Sequence, residues 1–190
     1  MITNEEIENF IVRFPIYQYA FLKPSDVVHS EAVRAICKRD CKKYDTNWAC
    51  PPAVARISKC RARCAEYSDV LLFSTVASTE LDEKEKTKKA DSKQVHEELT
   101  QYIEDYLINS GCRVYTLTSD ACTLCPRCTF PHEYCKFPER MHPCIESHGI
   151  VITDLAERCS MDYNMGRRLY LWFTMIYYRP ATEEELKSDE

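Results

Sequence analysis

The chain has only three glycines in 190 residues. That scarcity rules out the glycine-rich phosphate cradles. No P-loop, no G-x-G-x-x-G turn and no nucleophile elbow can be written from Gly111, Gly149 and Gly166. Long apolar runs are missing as well. The longest, LYLWFTMIYY at 169–178, falls far short of the roughly 20 residues a membrane helix needs. The opening MITNEEIENF is acidic and polar, without the basic and apolar regions of a secretory leader. Excess positive charge is also lacking. A net charge of −5 argues against nucleic acid as a partner, because phosphate recognition needs a basic footprint. A soluble, cytoplasmic protein with no membrane and no nucleic-acid partner is the expectation.

Cysteine, by contrast, is abundant, at twelve residues. In a reducing compartment such a number points to metal ligation before disulfides. The chain offers enough length for one compact domain with a hydrophobic core.

The apolar pattern predicts an α+β or α/β fold: a mixed central sheet flanked by helices, with two cysteine-rich loops. Strands are expected at 14–22, 69–77, 112–118 and 167–179, with a short one at 150–153. The 167–179 stretch is apolar at both alternating positions, as a central strand covered on both faces would be. Helices are expected over SDVVHSEAVRAIC, over 53–67, and through Val95, Leu99, Tyr102, Ile103 and Tyr106, ending at Gly111. A short helix closed by Gly149 is expected within PERMHPCIESHG. The charged run at 78–94 reads as a solvated loop and helix start, and the acidic ATEEELKSDE as a frayed tail.

The second cysteine segment, 122–144, is the more telling one. Cys122, Cys125 and Cys128 have C-x2-C-x2-C spacing, and six residues separate Cys128 from Cys135. Two-residue gaps let successive thiolates curl around a cubane, whose iron corners lie close together. The run is similar to the ferredoxin pattern, with a longer last gap and a proline, Pro138, that is not adjacent. Zinc more often takes two ligands from each of two knuckles. An iron–sulfur cluster is therefore the leading reading and zinc the alternative.

The first segment, 37–64, is looser. Cys37, Cys41 and Cys50 precede Pro51-Pro52, whose rings set the chain's exit. Three thiolates leave one corner vacant. Cys60 is the nearest candidate for it, and Cys64, one turn further on the same helix face, the next. Cys112, Cys144 and Cys159 read as core thiols, with Cys144 near enough in sequence to serve the second loop. His132 and His142 flank that loop. Trp48 and Tyr44 are placed to shield the first site, and Arg167 and Arg168 to hold an acidic partner or simply to be solvated.

Taken together, CKRDCKKYDTNWACPP and CTLCPRCTFPHEYCKFPERMHPCIESHGI resemble the predicted metal-binding family known as domain of unknown function 2284. The likeness rests on W-x-C-P-P at Trp48 to Pro52, on C-x2-C-x2-C, on C-x2-P at Cys135 to Pro138, and on E-x2-G-I at Glu146 to Ile150. It implies metal binding, with iron–sulfur chemistry foremost, and no particular reaction. Two features depart from the family pattern: Asp45 stands where a glycine is common, and Cys144 where cysteine is unusual.

The expectation is thus a protein with two [4Fe–4S] clusters that exchanges electrons with a redox protein partner. Cys37, Cys41, Cys50 and Cys60 would hold one cluster and Cys122, Cys125, Cys128 and Cys135 the other. The alternatives are an enzyme using an open iron at a three-cysteine cluster, and a zinc-stapled structural or interaction module.

Overall fold

Two long apolar strands, β2 (Asp69–Ser78) and β4 (Leu169–Pro180), form the spine of the molecule. They pair antiparallel along their whole length, from Asp69 opposite Tyr178 to Ser78 opposite Leu169. Strand β1 (Gln18–Leu22) adds to the free edge of β2, and β3 (Cys112–Thr118) to the free edge of β4, giving the order β1-β2-β4-β3. The computed structural model describes residues 2–78, 85–166 and 169–188. Arg167, Arg168 and the first part of the charged run, 79–84, lie outside the described residues.

Burial follows the period of two that a strand imposes. On one face of the sheet Leu71, Phe73, Ile176 and Tyr178 pack with Leu99, Ile103 and Leu107 of the long helix α4 (Glu85–Asn109), and with Ile7 and Ile11. On the other face Val70, Leu72, Phe173, Met175 and Tyr177 pack with Ile145, Ile150, Ile152 and Leu155. Each large aliphatic side chain removed from water in this way contributes about 1.5–3 kcal/mol. Both faces of β2 and β4 are thus covered, which is why their sequences run almost unbroken in apolar residues.

The α+β architecture, a single compact domain with a helix-flanked sheet, is the expected one. The sheet itself differs from the mixed one expected, for it is antiparallel throughout. The crossover through α4 does leave β2 and β3 pointing the same way, but β4 inserts between them and pairs with each.

Three local differences have simple causes. The polar start contains a helix, α1 (Asn4–Ile11), nucleated by a capping box in which Thr3 and Glu6 satisfy each other's backbone N–H groups. The strand expected at 150–153 is a single bridge between His29 and Ile150, after which Ile152 opens α5 (Ile152–Arg158). The acidic tail begins as α6 (Glu183–Ser188), tied down by a two-bond fork from Arg179 to Glu185 at 2.8 and 2.6 Å.

Both cysteine segments leave this scaffold at the same place. Helices α2 (Glu31–Asp40) and α3 (Ile57–Cys64) bracket the first, and both rest on the 3-10 turn Glu146–His148, which ends the second. Ser30, the N-cap of α2, donates its backbone N–H to the carbonyl of Gly149 at 2.6 Å and so fixes α2 against that turn.

Candidate metal centre

The second segment is one long excursion from the end of β3. Its mouth is closed by backbone bonds from Thr118 N to Pro143 O (3.1 Å) and from Ile145 N to Thr118 O (3.0 Å). Its base is held by Lys93 of α4. This lysine is buried and donates to the carbonyls of Ala121 (2.6 Å) and Ser119 (3.2 Å), with Glu97 3.5 Å away. Between mouth and base the chain has little regular structure. A loop this long in a compact domain calls for something besides backbone bonds to order it.

Its four thiols supply a candidate. Cys122, Cys125, Cys128 and Cys135, all half-buried, line one hollow together with Trp48, Leu124, Thr129, Lys136, Phe137 and Met141. Among the described residues, no three His, Cys, Asp or Glu side chains gather tightly enough to hold a single metal ion. A tetrahedral zinc needs all its sulfurs about 2.3 Å from one point. A cubane instead takes one thiolate at each of four separated iron corners.

Neither histidine beside this loop lines the hollow. His132 is exposed. His142 is buried, with Nδ1 3.3 Å from Glu97 and Nε2 3.0 Å from Glu104. Burial opposes its charge, but the hydrogen bonds and charges of the two carboxylates outweigh burial and push its pKa up to about 9.

In the first segment Cys37 lies in the last turn of α2 and Cys41 caps it, its N–H bonded to the carbonyl of Cys37 at 3.2 Å. The chain then turns through Asp45, which adopts φ 58 and donates its N–H to the carbonyl of Pro51 at 2.8 Å. This left-handed conformation is the one glycine takes most easily, and aspartate is among the few other residues that tolerate it. Buried Asn47 braces the loop from within, accepting from Ala49 N at 3.0 Å.

Cys50 returns to a buried position, against Ala121 and Cys144. Burial, then the charges of Glu146, Cys41 and Cys50, push the Cys37 thiol up to about 11, with Arg34 opposing. Cys50 is shifted the other way, downward, chiefly by the neighbouring Cys144 thiol. Cys50 and Cys144 pack together, and the Cys37 and Cys144 thiols both lie against Glu146.

Cys60 and Cys64 are turned elsewhere. The Cys60 thiol donates to the carbonyl of Ala55 at 3.1 Å, and its charged neighbours are Arg34 and Arg63. Cys64 sits in the core beside Tyr177, where burial pushes its pKa up to about 12. Arg34 stands between the two groups, donating to Ser147 O at 2.6 Å and Val54 O at 3.3 Å.

Trp48 reaches across to the second segment. It lines the second hollow, donating its indole N–H to Thr129 Oγ1 at 3.3 Å and meeting Phe130 edge-on at 5.1 Å. Sequence reasoning missed the bracing role of Lys93, whose charged neighbours suggested a solvated run, and the contact between Glu146 and Cys144. The E-x2-G-I motif was the available signal for Glu146.

No helix among the described residues is long and apolar enough to cross a membrane. No curated protein and no solved structure gives a significant match to the chain. The sequence model of the DUF2284 family, described as predicted metal-binding protein, matches residues 20–177, and with both of its cysteine segments inside that span the chain belongs to this family.

Proposed function

We propose that the protein is an electron carrier holding two [4Fe–4S] clusters side by side, one at each cysteine segment. The observation that carries this reading is the wall the two sites share. Trp48, two residues before Cys50 of the first set, lines the hollow of the second. Ala121, next to Cys122 of the second set, packs against Cys50. When bound, such clusters supply one-electron oxidation and reduction. The chain's own residues position the thiols, line the hollow with Trp48 and Met141, and place the buried Lys93 at the base of the second loop.

All twelve cysteines are free thiols, which suits a reducing, cytoplasmic compartment. The exposed Cys41 stands among exposed Lys38, Lys42 and Lys43 in a chain of net charge −5. This local reversal of sign fits docking by an acidic redox protein.

Anaerobically purified protein should carry about eight irons and eight sulfides per chain, the content of two four-iron clusters. When fully reduced, its electron paramagnetic resonance spectrum should be split by the interaction of neighbouring centres. Stoichiometric zinc without iron overturns the proposal, and two unsplit, independent signals remove the side-by-side arrangement.

A further inference from the structure

We infer that Cys144, not Cys60, supplies the fourth sulfur of the first centre; the inference rests on the two-cluster reading above. Cys144 is remote from Cys37, Cys41 and Cys50 in sequence, and the closed mouth of the second loop brings it against Cys50 and, across Glu146, near Cys37. Thr118 bridges to Cys144 in parallel, and Cys144 N donates to the carbonyl of Ala49 at 3.0 Å, one residue before Cys50. Its thiol meets Cys50 and donates to Glu146 Oε2 at 2.6 Å, while the Cys37 thiol lies 4.0 Å from the backbone carbonyl of the same Glu146.

This is an unusual place for a thiol with no other task. Cys144 is 8% exposed and sits beside a second thiol and a carboxylate, where an apolar side chain would spare the fold a buried polar group. Cys60 neighbours Cys64 on its own helix, and its charged neighbours are arginines, with no carboxylate among them. It occupies the far side of Arg34, with its hydrogen bond already made to Ala55, on a helix whose next cysteine faces the core. On ligation the Cys144 sulfur exchanges its proton for a bond to iron. Glu146 already accepts that proton in a hydrogen bond and is positioned to pass it to solvent.

One consequence is topological. Cys144 closes the loop that carries Cys122 to Cys135, so the two centres are fastened to one stretch of chain. Filling the second should help to position the fourth ligand of the first.

The test uses the full chain reconstituted with iron and sulfide without oxygen. A Cys125→Ser/Cys128→Ser background confines loading to the first centre, whose iron content and paramagnetic spectrum are then read. Adding Cys144→Ser should remove about half or more of the remaining iron, or change the spectrum to that of a three-cysteine site. Adding Cys60→Ser should leave both unchanged. The reverse result, or an unaltered spectrum in Cys144→Ser, overturns the assignment.

A measurement on the unmutated chain guards against a variant that fails to fold. Cys144 should be alkylated much faster after iron is stripped than before, and equal rates overturn the inference. An unmutated chain that takes up no iron refutes the two-cluster reading itself, an outcome distinct from failure of the ligand assignment.

Discussion

Trp48 donates its indole N–H to the hydroxyl of Thr129 across a sequence separation of 81 residues, and in doing so seals one cysteine site with a residue from the other. Water near a cluster stabilises the more highly charged reduced form, so unsealing raises the potential. Trp48→Ala should shift the second centre to higher potential by tens of millivolts and leave the first nearly unchanged. Trp48→Phe, which keeps a ring against Phe130 but loses the hydrogen bond, should give a smaller shift. Redox titration followed by paramagnetic resonance measures both.

Gly149 and Gly111 both have positive φ, +71° and +79°, yet they should respond differently to alanine. A Cβ at Gly149 would stand 2.8 Å from Ser30 O and 2.6 Å from Ile57 Cδ1, whereas nothing lies within 4 Å of one at Gly111. Gly111→Ala should cost about 1 kcal/mol, from the left-handed conformation alone. Gly149→Ala adds overpacking and should cost about 3 kcal/mol or more. Because Gly149 also anchors the start of α2, the second substitution should reduce iron loading at Cys37 as well. Urea midpoints and iron content of the two variants check this contrast.

The same pair of glycines indicates how far sequence alone could reach. Gly111 and Gly149 were legible as stops because a glycine after an apolar periodicity has a local meaning, and β3 was bounded correctly at 112–118 for the same kind of reason. The ring of Cys122, Cys125, Cys128 and Cys135 was legible because two-residue gaps restrict where the thiols can go. The position of Cys144 was not. It depends on a closure between Thr118 and Cys144 that no local pattern encodes. Lys93 was hidden for a related reason: a lysine within a charged run announces solvent, and only its carbonyl partners at Ser119 and Ala121 explain its burial. Helix α1 was there to be read, since Thr3, Glu6, Ile7 and Ile11 spell a capping box and a buried stripe.

His96 should make the fold sensitive to mild acid. It is 1% exposed, with its two ring nitrogens each 2.8 Å from a threonine hydroxyl, Thr75 on β2 and Thr174 on β4. Burial is the main cause that pushes its pKa down to about 4 from 6.5; Glu97 opposes the shift and Lys93 assists it. Above pH 6.5 the ring is neutral in both states and costs nothing. Between 6.5 and 4 the unfolded chain takes up a proton that the folded chain refuses, so stability falls as pH drops through that window. The loss should approach about 3 kcal/mol at its lower end. Denaturation midpoints from pH 7 to 4.5 should decline more steeply for the unmutated chain than for His96→Gln at matched iron content.

The lysines around Cys41 should govern how fast electrons arrive rather than how firmly the centres are held. Lys38, Lys42 and Lys43 are exposed, and none of them lines the second hollow. Steering of this kind acts on the encounter rate and is screened by salt, because the Debye length shrinks from about 10 Å at 0.1 M to about 3 Å at 1 M. With an acidic ferredoxin as the electron donor, Lys42→Glu/Lys43→Glu should slow reduction roughly tenfold at low ionic strength, within the range that charge steering commands. The difference should vanish near molar salt. Reduction by a neutral small molecule should be unaffected throughout. Equal slowing with both donors would mean that the substitutions had damaged the first centre. A rate with the acidic donor that does not change with charge reversal would place the docking surface elsewhere, the Trp48 side of the second hollow being the next to test.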